Sequence, residues 1–356
     1  MIDTDTRAPA AAPADGAAPP QPGEPGPGPT RADASREADD RGVSLGRRVF
    51  NAKTAVSFLI GIAILVSVFR VTSIHPAEIL AQLRQIDPGL YALAIVTYAT
   101  TFVFRGLRWQ RLLANVGSRL ALLPLTEVIF LSWFVNSVVP AKLGDVYRGY
   151  LLRREFGLSM SRTIGTVVAE RVVDVLALIV LLGVTGFFVL RTRASAQVDN
   201  LLIAGGVLFA VLVIGMWILY RYGERLVRFF PARVQEYYER FAHGTFSSLN
   251  PLPLVIVLTV LAWSAEAGRL FFVMKSLHVP VGPLGALFTV AAISLALIAP
   301  TPGGLGAVEA AFVAILAVFG VSVQVALAVA LLDRLISYYS LIIIGLPTFL
   351  ISKRGR

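Results

Sequence analysis

Long apolar stretches alternate with short basic clusters along this chain. The apolar segments fall at about 54–70, 89–104, 122–139, 163–190, 201–220, 251–275, 284–300, 306–319 and 325–351. Several approach or exceed the roughly 20 residues an α-helix needs to cross about 30 Å of hydrocarbon. The pattern predicts an all-α integral membrane protein, a polytopic helical bundle. Basic clusters then order the segments, because Lys and Arg favour the cytoplasmic side. Arg41, Arg47, Arg48 and Lys53 precede the first segment, Arg105, Arg108, Arg111 and Arg119 follow the second, and Arg153, Arg154 and Arg162 follow the third. The second and third clusters share one side only if 122–139 does not cross. The arm 144–156 reaches only about 20 Å as a helix, too short to span, so the chain is expected to dip in, turn at Asn136–Gly144 and return. A second hairpin, 284–300 with 306–319, enters from the other face, because three full spans (163–190, 201–220 and 251–275) separate the two. The expected architecture is two inverted repeats, each with a re-entrant or broken helix, and both termini cytoplasmic. The mixed stretch 222–250 reads as a basic amphipathic segment on the cytoplasmic leaflet or as a solvated loop helix.

An internal repeat supports this arrangement. Pro140-Ala-Lys-Leu-Gly144 is followed by Gly157-Leu-Ser159, ten residues, and Glu170-Arg171; Pro302-Gly-Gly-Leu-Gly306 is followed by Gly320-Val-Ser322, ten residues, and Asp333-Arg334. The two copies are offset by 162 to 163 positions. Self-similarity of this kind marks duplicated architectures, and many transporters place substrate sites between such repeats. Each acid–Arg pair lies in an apolar segment, where a charge costs about 2.5–3.5 kcal/mol at helix centre. Counted at 1.5 Å per residue, Arg171 and Arg334 lie about 12 and 13.5 Å from their segment ends, near the midplane.

The densest polar run is Asn136-Ser-Val-Val-Pro-Ala-Lys-Leu-Gly-Asp-Val-Tyr-Arg148. A half-helix starting near Gly144 favours an anion at its N-terminus, Lys142 and Arg148 add positive charge, and Asp145 caps the helix or pairs with either. The second copy offers Gly303, Gly304 and Gly306 with Glu309 one turn on. Glu170 and Asp174, four apart, share a face, and one of them is expected to neutralise Arg171. Glu266 and Arg269 form a third pair inside 251–275. Two readings stay open for these groups: sites for an anionic substrate, or ion pairs and Pro/Gly turns that only lock helices together. Arg105 and Arg108-Trp109 read likewise either as interface anchors or as phosphate contacts.

Composition narrows the chemistry. Apolar residues make up 56% of the chain and charged residues 15%, against about 25% charged in soluble proteins. Residues 1–44 hold 8 of the 20 prolines and eight acids against four arginines, a composition expected to be disordered. They precede a membrane domain over 45–352 and a basic tail at 353–356. Without the first 44 residues the net charge rises from +10 to +14. The basic residues cluster at segment ends, which suits membrane topology and anionic head groups and argues against nucleic acid. Cysteine is absent and the three histidines lie far apart, so thiol chemistry is excluded and neither a metal nor a cofactor is expected. No phosphate-binding G-x-x-x-x-G-K-[ST], G-x-S-x-G or H-E-x-x-H occurs, and no catalytic residue is assigned.

The R-x-x-R-W stretch at Arg105–Trp109, the Asn136–Arg148 run, Glu170-Arg171-x-x-Asp174 and P-x-P-G-G-L-G-x-x-E at Pro300–Glu309 together resemble the lysylphosphatidylglycerol synthetase transmembrane-region family of flippase-like membrane proteins, over about residues 45–352. The resemblance covers the membrane part only. It implies translocation of a lipid, anionic or polyprenyl-phosphate-linked, in a bacterial or archaeal inner membrane, without enzymatic activity. No soluble domain is expected after residue 352, so the resemblance is not taken to imply lipid aminoacylation. In this reading Lys142, Arg148, Arg171 and Arg334 receive the phosphate, Glu170, Asp174 and Asp333 balance it, and the glycines permit close approach. The expected partners are membrane lipids and an enzyme of lipid or glycan biosynthesis; the alternative function is a non-transporting, lipid-binding scaffold of such a pathway.

Overall fold

The computed structural model describes residues 81–139, 143–190, 231–250, 252–296 and 304–351, with scattered positions between 207 and 228. Among them all regular structure is helical. The expectations for residues 1–44, the segment 54–70, Lys142, Gly303 and the C-terminal tail lie outside the described residues.

Helix α1, Pro88–Asn115, begins where the Asp87 carboxylate accepts the Gly89 and Leu90 N–H groups at 2.9 and 3.1 Å, with Pro88 in the first turn. Side-chain capping and an early proline both favour a helix start. Next come α2, Leu122–Val138, α3, Leu143–Phe156, and the 31-residue α4, Met160–Leu190. Helix α5, Ala232–Phe246, lies against α4. The second series comprises α6, Leu252–Ser276, α7, Pro283–Ala296, and α8, Ala307–Val318. Helix α9, Val323–Arg334, then runs through a π-helical turn, Leu335–Tyr339, into α10, Ser340–Ile351.

Among the described residues, four helical stretches are long and apolar enough to cross a membrane: Pro88–Asn115, Met160–Val189, Leu252–Ser276 and Val323–Ile351. Helices α2, α3, α7 and α8 are the short ones, at 17, 14, 14 and 12 residues; at 1.5 Å per residue the longest reaches about 25 Å. The expected short arms therefore exist, close to their expected bounds. The largest departure concerns 89–104, which continues as helix to Asn115, so Arg105, Arg108 and Trp109 lie buried within α1 and do not mark its end. Buried arginines report no topology, so of this cluster only the exposed Arg111 and Arg119 keep value as inside markers.

Helices α1–α4 and α6–α10 repeat one another in order: a long helix, two short ones, a long one. Each half packs first on second, second on third, third on fourth, and first on fourth. Contacts between halves are reciprocal: α1 lies along α6, α4 of the first half meets α7 of the second, and α10 of the second meets α2 of the first. Such reciprocity is the mark of a two-fold relation. Large apolar side chains point outward from the long helices, among them Val180, Val184 and Phe187 on α4, Ile256 and Val260 on α6, and Ile343 and Ile344 on α10. Polar groups turn inward, the distribution a hydrocarbon solvent demands.

Small residues set the closest approaches. Gly165 on α4 and Gly244 on α5 face each other so closely that a Cβ on either would strike the opposing backbone, so the 222–250 stretch includes a docked helix. At Gly144 a Cβ would collide with the Ser132 carbonyl and come within 2.7 Å of Asn136 Oδ1. The Gly144→Ala variant should therefore force α2 and α3 apart and destabilise the protein by about 1–3 kcal/mol, the usual cost of overpacking. Unfolding in detergent measures it; an unchanged midpoint would show that the approach is not strict.

Candidate functional site: a buried arginine–carboxylate network

Each long helix carries charges into the core. Arg108 on α1, wholly buried, donates to Asp174 at 2.6 and 3.0 Å and lies 3.2 Å from Glu170. Arg148 on α3, also wholly buried, reaches Glu170 at 3.0 Å. Arg105 contacts Asp174 at 3.4 Å and Glu266 at 3.7 Å. Arg171 forks onto Asp145, through Nε at 2.9 Å and Nη2 at 2.8 Å, and lies 3.8 Å from Asp174. Glu266 in turn meets Arg269 at 3.1 Å, and Arg269 pairs with Asp333. These contacts form one continuous chain of five arginines and five carboxylates. Arg334 and Glu309 form a further pair at 2.9 Å.

Neutrality holds only across both halves. The first contributes Arg105, Arg108, Arg148 and Arg171 against Asp145, Glu170 and Asp174; the second contributes Arg269 against Glu266 and Asp333. One surplus positive charge thus faces one surplus negative charge, and Arg105 meets Glu266 where the halves join. Pairing is needed because an isolated ion in an apolar medium costs several kcal/mol even after relaxation. Aromatic faces complete the lining: Arg105 lies 4.9 Å from the Trp133 ring centroid and 5.3 Å from that of Trp263, and Arg148 lies 5.1 Å from Trp109. Cation–π attraction grows as such groups are desolvated.

The two halves use their charges alike. In each, the acid of the acid–Arg pair meets an arginine of the first long helix: Glu170 with Arg108, Asp333 with Arg269. The arginine of the pair meets a carboxylate on the short helix after the break: Arg171 with Asp145, Arg334 with Glu309. Correspondence extends across the interface, where Arg108 donates to Thr259 at 2.8 Å while Arg269 lies 5.3 Å from the ring of Tyr98. Positions 98, 105 and 108 match 259, 266 and 269 at an offset of 161. R-x-x-R against E-x-x-R at nearly the repeat spacing was the signal that extends the repeat to the first long helices.

Sequence expectations therefore meet a mixed outcome. The Glu266–Arg269 pair forms. Neither Glu170 nor Asp174 is the main partner of Arg171; Asp145 is, with Asp174 a longer second contact. Asp333 does not pair with its neighbour Arg334, whose carboxylate is Glu309. Asn136 closes the first hairpin, its Oδ1 accepting the Gly144 N–H at 2.8 Å and its Nδ2 donating to Asp145 at 3.4 Å. In the second hairpin Gly304 and Gly306 take positive φ values of 70° and 84°, a region that favours glycine, and Glu309 accepts the Gly306 N–H at 2.6 Å. Tyr98, Trp133, Trp263 and Tyr338 were missed, since an aromatic residue in an apolar segment gives no sign of the cation it will cover. Tyr338 lies 4.5 Å from the Arg334 guanidinium.

Buried charges on long apolar helices, closed into a neutral network, define a polytopic helical membrane protein with a polar core. The chain belongs to the family described as the lysylphosphatidylglycerol synthase TM region, whose model matches residues 54–345. It is similar to a UPF0104 membrane protein of Methanocaldococcus jannaschii, 35% identical over 228 residues that cover 62% of this chain and 95% of the relative. A second UPF0104 membrane protein, from Methanothermobacter thermautotrophicus, is 25% identical over 320 residues, 82% of this chain and 94% of that one. The glycosyltransferase AglD of Haloferax volcanii is 27% identical over 318 residues, 78% of this chain; the match spans 51% of that relative's length.

Glu170 has no exposed surface and serves both Arg108 and Arg148. Its replacement by Gln leaves two buried guanidinium groups short of a counter-charge and should cost about 3–5 kcal/mol, the typical loss on breaking a buried pair. Asp145→Asn, at the more open edge of the network, should cost clearly less. Comparing the unfolding of both variants tests this ranking, and equal losses would contradict it.

Proposed function

We propose that the protein moves an anionic or polyprenyl-phosphate-linked lipid between the leaflets of the plasma membrane, with both termini cytoplasmic. The observation that carries this reading is the repetition, in two reciprocally packed halves, of a helix break followed by a short helix whose carboxylate holds an arginine. Transporters built from repeats bind substrate where broken helices from the two repeats meet, and expose that site by rocking one repeat against the other. The proposal takes the two-fold axis to lie in the membrane plane, so that the halves are inverted. The substrate's phosphate is received at Arg171 and Arg334, with Arg148 and Lys142 adding positive charge. No bond is made or broken.

One observation favours a second reading. A relative carries the name glycosyltransferase, and this chain matches about half of it; the protein would then serve a glycosyl-transfer pathway as an accessory that holds the lipid-linked substrate.

Reconstitution in liposomes with fluorescent phosphatidylglycerol, polyprenyl phosphate and phosphatidylcholine separates the two. Movement of a phosphate-bearing anionic lipid, lost in a folded Arg171→Gln variant, is expected. Failure of the folded protein to move any of them favours the accessory. Topology is tested independently, since the chain lacks cysteine: Arg153→Cys and Arg162→Cys should resist an impermeant maleimide added outside cells. Strong labelling of either would overturn the inverted arrangement.

A further inference from the structure

We infer that Asp145 and Glu309 are built-in stand-ins for the ligand's phosphate, each occupying an arginine that the ligand takes over by displacing it. The inference rests on the lipid-transport reading only for the identity of that anion. Arg171 is the one guanidinium of the network with as much as 36% of its side chain exposed; Arg105, Arg108, Arg148 and Arg269 are at 7% or less. Its two-point grip on Asp145 is the geometry with which arginine also holds a phosphate. Asp145 sits in the first turn of α3 with 18% of its side chain exposed, more than any other carboxylate of the network.

The second half repeats the contact in a more enclosed setting, with Arg334 at 6% and Glu309 at 12% exposure. Glu309, in the first turn of α8, bridges the Gly306 N–H and Arg334 Nε. A carboxylate bound at once by a backbone amide at a helix start and by a guanidinium lies where a phosphate oxygen would bind. A separate feature points to a ligand in the first half. Arg148, wholly buried and one turn beyond Asp145, has an Nη2 group without a hydrogen-bond partner, as Arg105 and Arg108 have at Nε, and buried donors of that kind are expensive to leave unmade. Charge balance sets the terms of the exchange. Because the network is neutral, an incoming phosphodiester monoanion leaves it so only if one carboxylate departs, which makes the exchange one for one.

Removing the stand-in's charge should therefore open the site. With purified protein in detergent, Asp145→Asn is expected to bind dioctanoyl phosphatidylglycerol and inorganic phosphate about tenfold more tightly than the unaltered chain, equivalent to roughly 1.4 kcal/mol, and dioctanoyl phosphatidylcholine no more tightly. Asp145→Glu should give no gain, and adding Arg171→Gln to Asp145→Asn should abolish it. Glu309→Gln reads the same exchange at Arg334 and replaces Asp145→Asn should that variant fail to fold. Unchanged or weaker phosphatidylglycerol binding in a folded Asp145→Asn protein, or a gain that survives loss of Arg171, overturns the inference. A gain for inorganic phosphate alone assigns the site to a free anion and overturns its head-group form. Detergent micelles have no leaflets, so a failure of lipid transport leaves this measurement intact.

Discussion

The contact between Arg105 and Glu266 is the constraint around which the rest is arranged. Neither half balances its own buried charge, and the surplus of each is answered by the other at this point. Low dielectric makes that answer compulsory, since an unpaired ion among apolar helices costs several kcal/mol. The long helices α1 and α6 must therefore pack along each other, and the reciprocal contacts of α4 with α7 and of α10 with α2 follow from the same two-fold relation. Hydrophobic burial does little to align helices when the surroundings are themselves apolar. Charge complementarity and close-packed glycines supply the register here.

Much of this was legible in the sequence. The broken helices were visible because Pro and Gly interrupt apolar runs too short to span, and Glu266–Arg269 was visible because three residues separate neighbours on one helix face. What escaped was pairing across helices. Arg171 has Glu170 beside it and Asp174 one turn on, yet its main partner, Asp145, lies 26 residues earlier. Local spacing ranks neighbours on one helix; packing decides which carboxylate on another helix comes closer. The extent of α1 was misjudged for a related reason. Arg105 and Arg108 end an apolar run without ending the helix, because their partners on α4 and α6 remove the penalty that a hydropathy pattern charges against them.

Asymmetry between the halves matters as much as their likeness. Arg105, Arg148 and Asp174 have no counterparts of like charge at the matching positions, which are Glu266, Ala310 and Ser337. The first half therefore concentrates four guanidinium groups and the second only two, counting Arg334. A π-helical turn follows Arg334, while α4 runs on as regular helix past Arg171. Such turns gather at functional positions, and this one places Tyr338 over the Arg334 guanidinium. The two halves thus form an anion-rich and a cation-rich side, joined at the pair that balances them.

Whether the charges act as one network is open to a direct measurement. Arg108 and Arg269 lie in different halves and share no partner, but a chain of ion pairs connects them through Asp174, Arg105 and Glu266. Unfolding free energies of Arg108→Gln, Arg269→Gln and the double variant form a double-mutant cycle. A single network predicts a coupling of about 0.5 kcal/mol or more, above the scatter expected of independent sites. Strict additivity would show two separate ion-pair clusters and contradict the account of a single charge-balanced core.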